Sequence, residues 1–159
     1  MANIDRTFKQ NEKHEMTLRS VSQPEGGVEQ YANTVSYHVA REQSFDMLNP
    51  ELTAVDHFMG GLASSVMLAI QHYDQKHAHL IEEMEGKFSF TLAHPMTYLD
   101  VIGYEGQCHI STWSLHLYIV SYEEEEDVVA SVKAGLEKSI LYQTVKATLP
   151  LDLHVKIIL

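Results

Sequence analysis

One cysteine, Cys108, stands in a chain of 159 residues, which excludes an internal disulfide, a Cys-x-x-Cys redox pair and any multi-cysteine zinc or iron–sulfur site. Positive charge is scarce too: 11 Lys+Arg face 22 Asp+Glu, for a formal net charge of -11. Nucleic-acid backbones and anionic membrane surfaces repel such a chain, and neither is expected as a partner. Long apolar runs are missing. The stretch Met1 to Gln10 carries no hydrophobic core of a secretion signal, and the least polar stretch, Phe58 to Ile70, is too short to span a bilayer. A cytoplasmic protein is therefore expected. The pair Gly60-Gly61 lies outside any G-x-G-x-x-G or P-loop spacing, so no nucleotide fingerprint is present. What remains is an ordinary globular composition, 45% hydrophobic and 21% charged, which suits one domain over residues 1–159.

The elements follow from periodicity. Phe8 to Val21 and Asn33 to Arg41 alternate and carry β-branched and aromatic residues, with a turn signal at Gln23 to Gly27 between them. They predict an N-terminal hairpin region over 1–48, followed by the rest of the domain over 49–159. From Thr53 to about Tyr73, Val55, Phe58, Met59, Leu62, Val66, Ala69 and Ile70 recur at helical spacing, and Thr53 with Asp56 forms a near capping box. Small residues, among them Gly60, Gly61, Ala63, Ser64 and Ser65, predict a central helix closely approached on more than one side. Strands are predicted at Leu80 to Leu92 and Cys108 to Tyr122, the second with Trp113, Leu115, Leu117 and Ile119 on its core face. A helix over Glu124 to Lys138 opens with acidic residues that complement its dipole, and Leu151 to Ile157 forms a closing strand. The order is β-β-α-β-β-α-β, an α+β domain. One helix is more apolar than a single small sheet covers, which predicts a homodimer.

Ten histidines in an acidic chain raise the question of a metal. His77 and His79 would share a face of an extended segment, with His72 or Asp74 as a third ligand, but the spacing fits no known ligand signature. A polar helix-to-strand connection is the better reading, and no metal or cofactor is expected. His57 lies on the face of Ser64 and Ser65, yet seven residues of helix separate it from Ser64 by about 10 Å, too far for a nucleophile and its base. Cys108 stands beside His109, and adjacent strand residues point to opposite faces, so the thiol reads as a packing residue.

Two segments carry a resemblance. TAVDHFMGGLASSVMLAI (Thr53–Ile70) resembles the central helix of the OsmC/Ohr family, the osmotically induced and organic hydroperoxide resistance proteins, where a Pro-x-Glu-Leu start is followed by small residues and a cysteine. KSILYQTVKATLPLDLHV (Lys138–Val155) resembles that family's Cys-Pro-Val-Ser-x-Thr-Leu segment and closing strand. With the strands between, the likeness extends over roughly residues 33 to 159. It implies an OsmC-like fold: an intertwined homodimer with central helices packed against antiparallel sheets and sites at the subunit boundary. It also implies hydroperoxide reduction by a peroxidatic and a resolving cysteine, held reactive by an arginine and a glutamate.

Carried over residue by residue, the peroxidatic position falls on Ser65 (or Ser64 with a shift of one) and the resolving position on Ser139. The glutamate falls on Val55, with Asp56 adjacent, and Arg41 is where the arginine could come from. A serine hydroxyl neither ionises near neutral pH nor forms a recoverable oxidised sulfur, so loss of thiol peroxidase chemistry is expected, with no catalytic residues in its place. The expected role is a dimeric binder of a small apolar or acyl ligand, at His57, Gly61, Ser64 and Ser65. The alternatives are a one-cysteine hydroperoxide reductase using Cys108, a hydrolase using Ser65 with a base such as His57 of a second subunit, and a purely structural dimer whose cleft is closed by Phe58 and Met59.

Overall fold

A computed structural model describes residues 15–24, 26–40 and 51–158. The chain forms two compact units that divide between His57 and Phe58. In the first, β1 (Arg19–Ser22), β2 (Val28–Ala32) and β3 (Val35–Val39) make an antiparallel meander in the order β1-β2-β3. Arg19 faces Tyr31 in the register, and its guanidinium lies 5.0 Å from the centre of the Tyr31 ring. The turn into β2 needs Gly27, whose φ is +81° and where a Cβ would come within 2.7 Å of the His38 ring and the Val39 carbonyl. Asn33, in the left-handed region at φ 53°, supplies the tight turn from β2 to β3.

The long helix α1 (Ala54–His77) begins in the first unit and runs through the second. Its start is a capping box. Thr53 N–H and Oγ1–H both donate to Asp56 Oδ2, at 2.8 and 2.7 Å, while Asp56 N–H donates to Thr53 Oγ1 at 3.3 Å. After α1 come β4 (Glu83–Ala93), the short α2 (Pro95–Tyr98), β5 (His109–Val120), α3 (Glu125–Leu136), α4 (Ile140–Val145) and β6 (Leu151–Ile158). The second sheet has the order β4-β5-β6, with β4 antiparallel and β6 parallel to the central β5.

The core of this unit lies between the sheet and the helices α1 and α3. Leu62, Val66 and Ile70 of α1 meet Trp113, Leu115, Leu117 and Ile119 of β5 and Val128, Val132 and Leu136 of α3 in one buried cluster. Burial of each such side chain stabilises the fold by about 1.5–3 kcal/mol. The row on α1 continues to Asp74, which is only 2% exposed. A buried carboxylate must be satisfied, and this one accepts from Leu80 N–H, Ile81 N–H and Ser131 Oγ at 3.1, 3.1 and 3.0 Å. It therefore ties the end of α1 to both the entry of β4 and the face of α3. Where α3 crosses α1, Gly135 lets the backbones meet: a Cβ there would lie 2.6 Å from Ile70 Cα.

Several expectations are corrected. The turn at Gln23–Gly27 joins β1 to Val28–Ala32, and the segment from Asn33 supplies a third strand; residues 8–14 and Arg41 lie outside the described residues. Two short helices, α2 and α4, interrupt the expected order because segments of four and six residues carry no legible period. The expected antiparallel sheet is mixed. Residues 121–150, with α3 and α4, form the helical crossover that parallel neighbours require. Finally, the close helix approach is at Gly135, because α1 buries a single row of residues four apart and leaves Gly60, Gly61 and Ser64 exposed.

Candidate functional site at Ser65 and Ser139

Ser65 sits halfway along α1, one residue before Val66 in the buried row, and is half-buried itself. Ser139 follows α3 and is the N-cap of α4, where its Oγ accepts from Tyr142 N–H at 3.2 Å. It is 1% exposed. The two hydroxyls meet: Ser65 Oγ and Ser139 Oγ are 2.8 Å apart, and Leu141 N–H donates to Ser65 Oγ at 3.4 Å. Each hydroxyl has one proton and two lone pairs, so one of them donates to the other while both accept from the α4 backbone.

Beside this pair opens a groove of about 530 Å³. Leu68, Ala69 and Ile140 form its apolar part, and Gln71, His72, Gln75 and Lys138 its polar part. Volumes of about 300–1,000 Å³ with a few placed polar groups are those of small-molecule sites. Among the described residues no base hydrogen-bonds Ser65 or Ser139. His72 is seven residues along the same helix from Ser65, about 10 Å along the axis, whereas a serine nucleophile needs its base in hydrogen-bond contact.

The other candidate residues do not line the groove. Asp56 is engaged in the capping box of α1. His57 belongs to the first unit, where its ring lies 5.1 Å from that of Tyr37 and its Nε2 is buried with no hydrogen-bond partner among the described residues. Gly61 faces Leu141, whose Cδ1 would lie 3.8 Å from an added Cβ, and Ser64 is exposed. Val55 lies in the first turn of α1. Cys108 is half-buried just before β5, and the neighbouring His109 turns its Nδ1 to the Gln107 carbonyl, 2.8 Å away. Asp74, weighed above as a metal ligand, is committed to its three donors; among the described residues no group of three or more His, Cys, Asp or Glu side chains is placed to hold a metal ion. At the groove, His72 was weighed from the sequence only as a metal ligand, and Lys138 was not singled out, since only the turn between α3 and α4 brings Lys138 to α1.

No protein-family model matches the sequence, and no curated protein matches it either. Solved structures do match the fold. An OsmC-like protein from Mycoplasma pneumoniae superposes with a TM-score of 0.73 at 11% identity, over 92% of this chain and 99% of that one. An organic hydroperoxide resistance protein OsmC from Legionella pneumophila gives 0.66 at 15% identity, over 90% and 97%. The organic hydroperoxide resistance protein OhrB of Bacillus subtilis gives 0.63 at 12%, over 90% and 98%. The chain has the α+β fold of OsmC-like and organic hydroperoxide resistance proteins. Among the described residues no helix is long and apolar enough to cross a membrane.

Proposed function

We propose that this protein is a divergent OsmC/Ohr-type protein that has given up thiol peroxidase chemistry and works in the cytoplasm as a dimeric binder of a small apolar or acyl ligand. The observation that carries the reading is the Ser65–Ser139 hydrogen bond of 2.8 Å. The family resemblance places the peroxidatic and resolving thiols on these two residues, and here two hydroxyls share that contact. The groove beside them supports ligand binding in place of redox turnover. Exposed Phe58, Leu68, Ile140 and Leu141 on α1 and α4, at 44%, 62%, 78% and 39%, support a second copy against this side of the fold.

Two measurements test the reading. Purified protein with a thiol reductant is expected to leave cumene hydroperoxide unconsumed above background, alike for wild type and Cys108→Ser. Turnover that Cys108→Ser abolishes would make this a one-cysteine reductase instead. In a thermal-shift screen with fatty acids, alcohols and esters of medium chain length, at least one class is expected to raise the melting temperature, and sedimentation is expected to return a dimer. A monomer that no member of the panel stabilises would overturn the binding role.

A further inference from the structure

The face of the second sheet turned away from α1 and α3 carries two histidines side by side. The odd-numbered residues of β5 and β6 point into the core, so His116 on β5 and His154 on β6, partners in the parallel register, share the outer face. Their rings stack, with centres 4.4 Å apart and planes 13° from parallel. Asp152 stands two residues before His154 on the same face, and its Oδ2 lies 2.9 Å from His154 Nε2. An ionised carboxylate only accepts, so Nε2 carries the proton and Nδ1 keeps its lone pair. This is the outer half of a carboxylate–histidine–metal arrangement, in which the acid fixes the tautomer and leaves the other nitrogen for an ion. Among the described residues His116 has no hydrogen-bond partner, and its ring is held only by the stack.

We propose that His116 and His154 form a two-imidazole site for a borderline divalent transition metal, Cu2+, Ni2+ or Zn2+, with Asp152 as the positioning residue behind His154 and solvent completing the coordination. Metal–imidazole bonds of about 2.0–2.1 Å hold the two nitrogens about 3 Å apart. Rings with centres 4.4 Å apart reach that separation by turning about Cβ–Cγ, a broad torsion, and the His154 side chain is 52% exposed and free to turn. Two protein ligands make an open site, unlike the closed four-ligand centre of structural zinc. Hard cations are excluded by the donor set. Mg2+ and Ca2+ need a shell of oxygens, whereas the carboxylate here is engaged with His154 and the exposed Lys87, opposite His116, and Lys156 add positive charge. An anion, in turn, would face the Asp152 carboxylate. Residue clustering in the sequence points instead to His72, His77 and His79; only the β5–β6 register joins His116 to His154. The site lies on the outer face of the sheet and does not depend on the ligand reading of the groove at Ser65 and Ser139.

Calorimetric titration of the full chain with Cu2+, Ni2+, Zn2+ and Mg2+ tests the site. One equivalent of each transition metal is expected to bind, Cu2+ most tightly, and Mg2+ not at all. His116→Gln and His154→Gln, with folding checked by circular dichroism, are each expected to lower Zn2+ affinity at least about tenfold, and Asp152→Ala about tenfold. Nitrogen-15 spectra of the imidazoles separate coordination from a structural effect. Zn2+ is expected to shift Nδ1 of His154 and one ring nitrogen of His116 and to leave the other eight of the ten histidines in place. In the metal-free protein Asp152→Ala is expected to mix the tautomers of His154. The proposal is overturned by an equivalent of metal that both single histidine variants retain, by Zn2+ shifts confined to other histidines, or by no binding of any transition metal. Inorganic phosphate bound at these two rings in place of metal would overturn it as well.

Discussion

Ser65 Oγ and Ser139 Oγ lie 2.8 Å apart although 74 positions separate them in the chain. That contact joins the middle of α1 to the N-cap of α4, and it sets the geometry for a direct experiment. A disulfide needs two sulfurs about 2.05 Å apart on β-carbons about 3.5–4.5 Å apart. The double variant Ser65→Cys/Ser139→Cys is expected to close an intramolecular disulfide under mild oxidant. Intact mass should show the loss of two hydrogens, and Cys108 should remain as one maleimide-reactive thiol. Three reactive thiols after oxidation would mean that α1 and α4 do not hold this contact in solution.

Asp74 should be the most costly polar residue to replace. Asp74→Ala leaves Leu80 N–H, Ile81 N–H and Ser131 Oγ without their acceptor in a site 2% exposed. Unmade hydrogen bonds of buried groups cost about 1–3 kcal/mol each, more where the acceptor was charged, so a loss of about 3–5 kcal/mol is expected by urea denaturation. Ser131→Ala alone should cost about 1 kcal/mol, and little further once Asp74 is gone. Full additivity of the two would show that they do not share the bond.

Three glycines on helices make opposite predictions. At Gly135 an added methyl would meet Ile70 Cα at 2.6 Å and Tyr73 Cβ at 3.2 Å, and neither backbone can retreat without opening the core. Gly135→Ala is expected to lower stability by about 1–3 kcal/mol, in line with overpacking. Among the described residues nothing lies within 4 Å of a Cβ added at Gly60, and at Gly61 only Leu141 Cδ1 does, at 3.8 Å. Alanine at either should raise the stability of the isolated chain by up to about 1 kcal/mol through helix propensity. If, as proposed, a second copy closes over this face, the same two substitutions will instead weaken association, which sedimentation reads.

The pH response of Glu137 has a definite sign. The hydrogen bond from Lys146, aided by that from Gln143, holds its carboxyl below the usual carboxylate range. With the folded value depressed, the stabilisation is complete above the unfolded value of about 4.3 and is lost as pH falls through the folded one. Glu137→Gln should therefore melt slightly below wild type at neutral pH, and the two curves should merge in strong acid. Because the pair is exposed, added salt should shrink the difference as well. A gap that persists in acid would place the effect in packing.

Much of the second unit can be read from periodicity alone. Leu62, Val66 and Ile70 declare the buried row of α1 by their spacing of four, and Trp113, Leu115, Leu117 and Ile119 declare the core face of β5 by alternation; all seven are fully buried or nearly so. Local signals fail where the information is elsewhere in the chain. The second strand was hidden because Asn33 is its only turn marker, and the parallel partner of β5 arrives from beyond two helices. Asp74 reads as a ligand by residue type, and only packing shows its three donors. The link from Ser65 to Ser139 came from family resemblance, since no spacing rule joins residues so far apart. Lys138 was invisible as a groove residue because a lysine ending a helix usually faces water.

The parallel pairing of β5 with β6 bears on the order in which the protein can be made. Trp113 needs Leu149 for its indole hydrogen bond at 3.3 Å, and β5 needs Leu151–Ile158 for its second neighbour. On the ribosome α1, β4 and β5 emerge before α3, α4 and β6, so the β4–β5 hairpin can form and lay its apolar row from Trp113 to Ile119 on Leu62, Val66 and Ile70, but Val128, Val132 and Leu136 of α3 and the β6 edge join only when those segments have left the exit tunnel. The nascent chain thus passes through a stage in which its central strand has one open edge and a core only half assembled over it. At that stage, before any folded protein exists, a chaperone would have the most to protect.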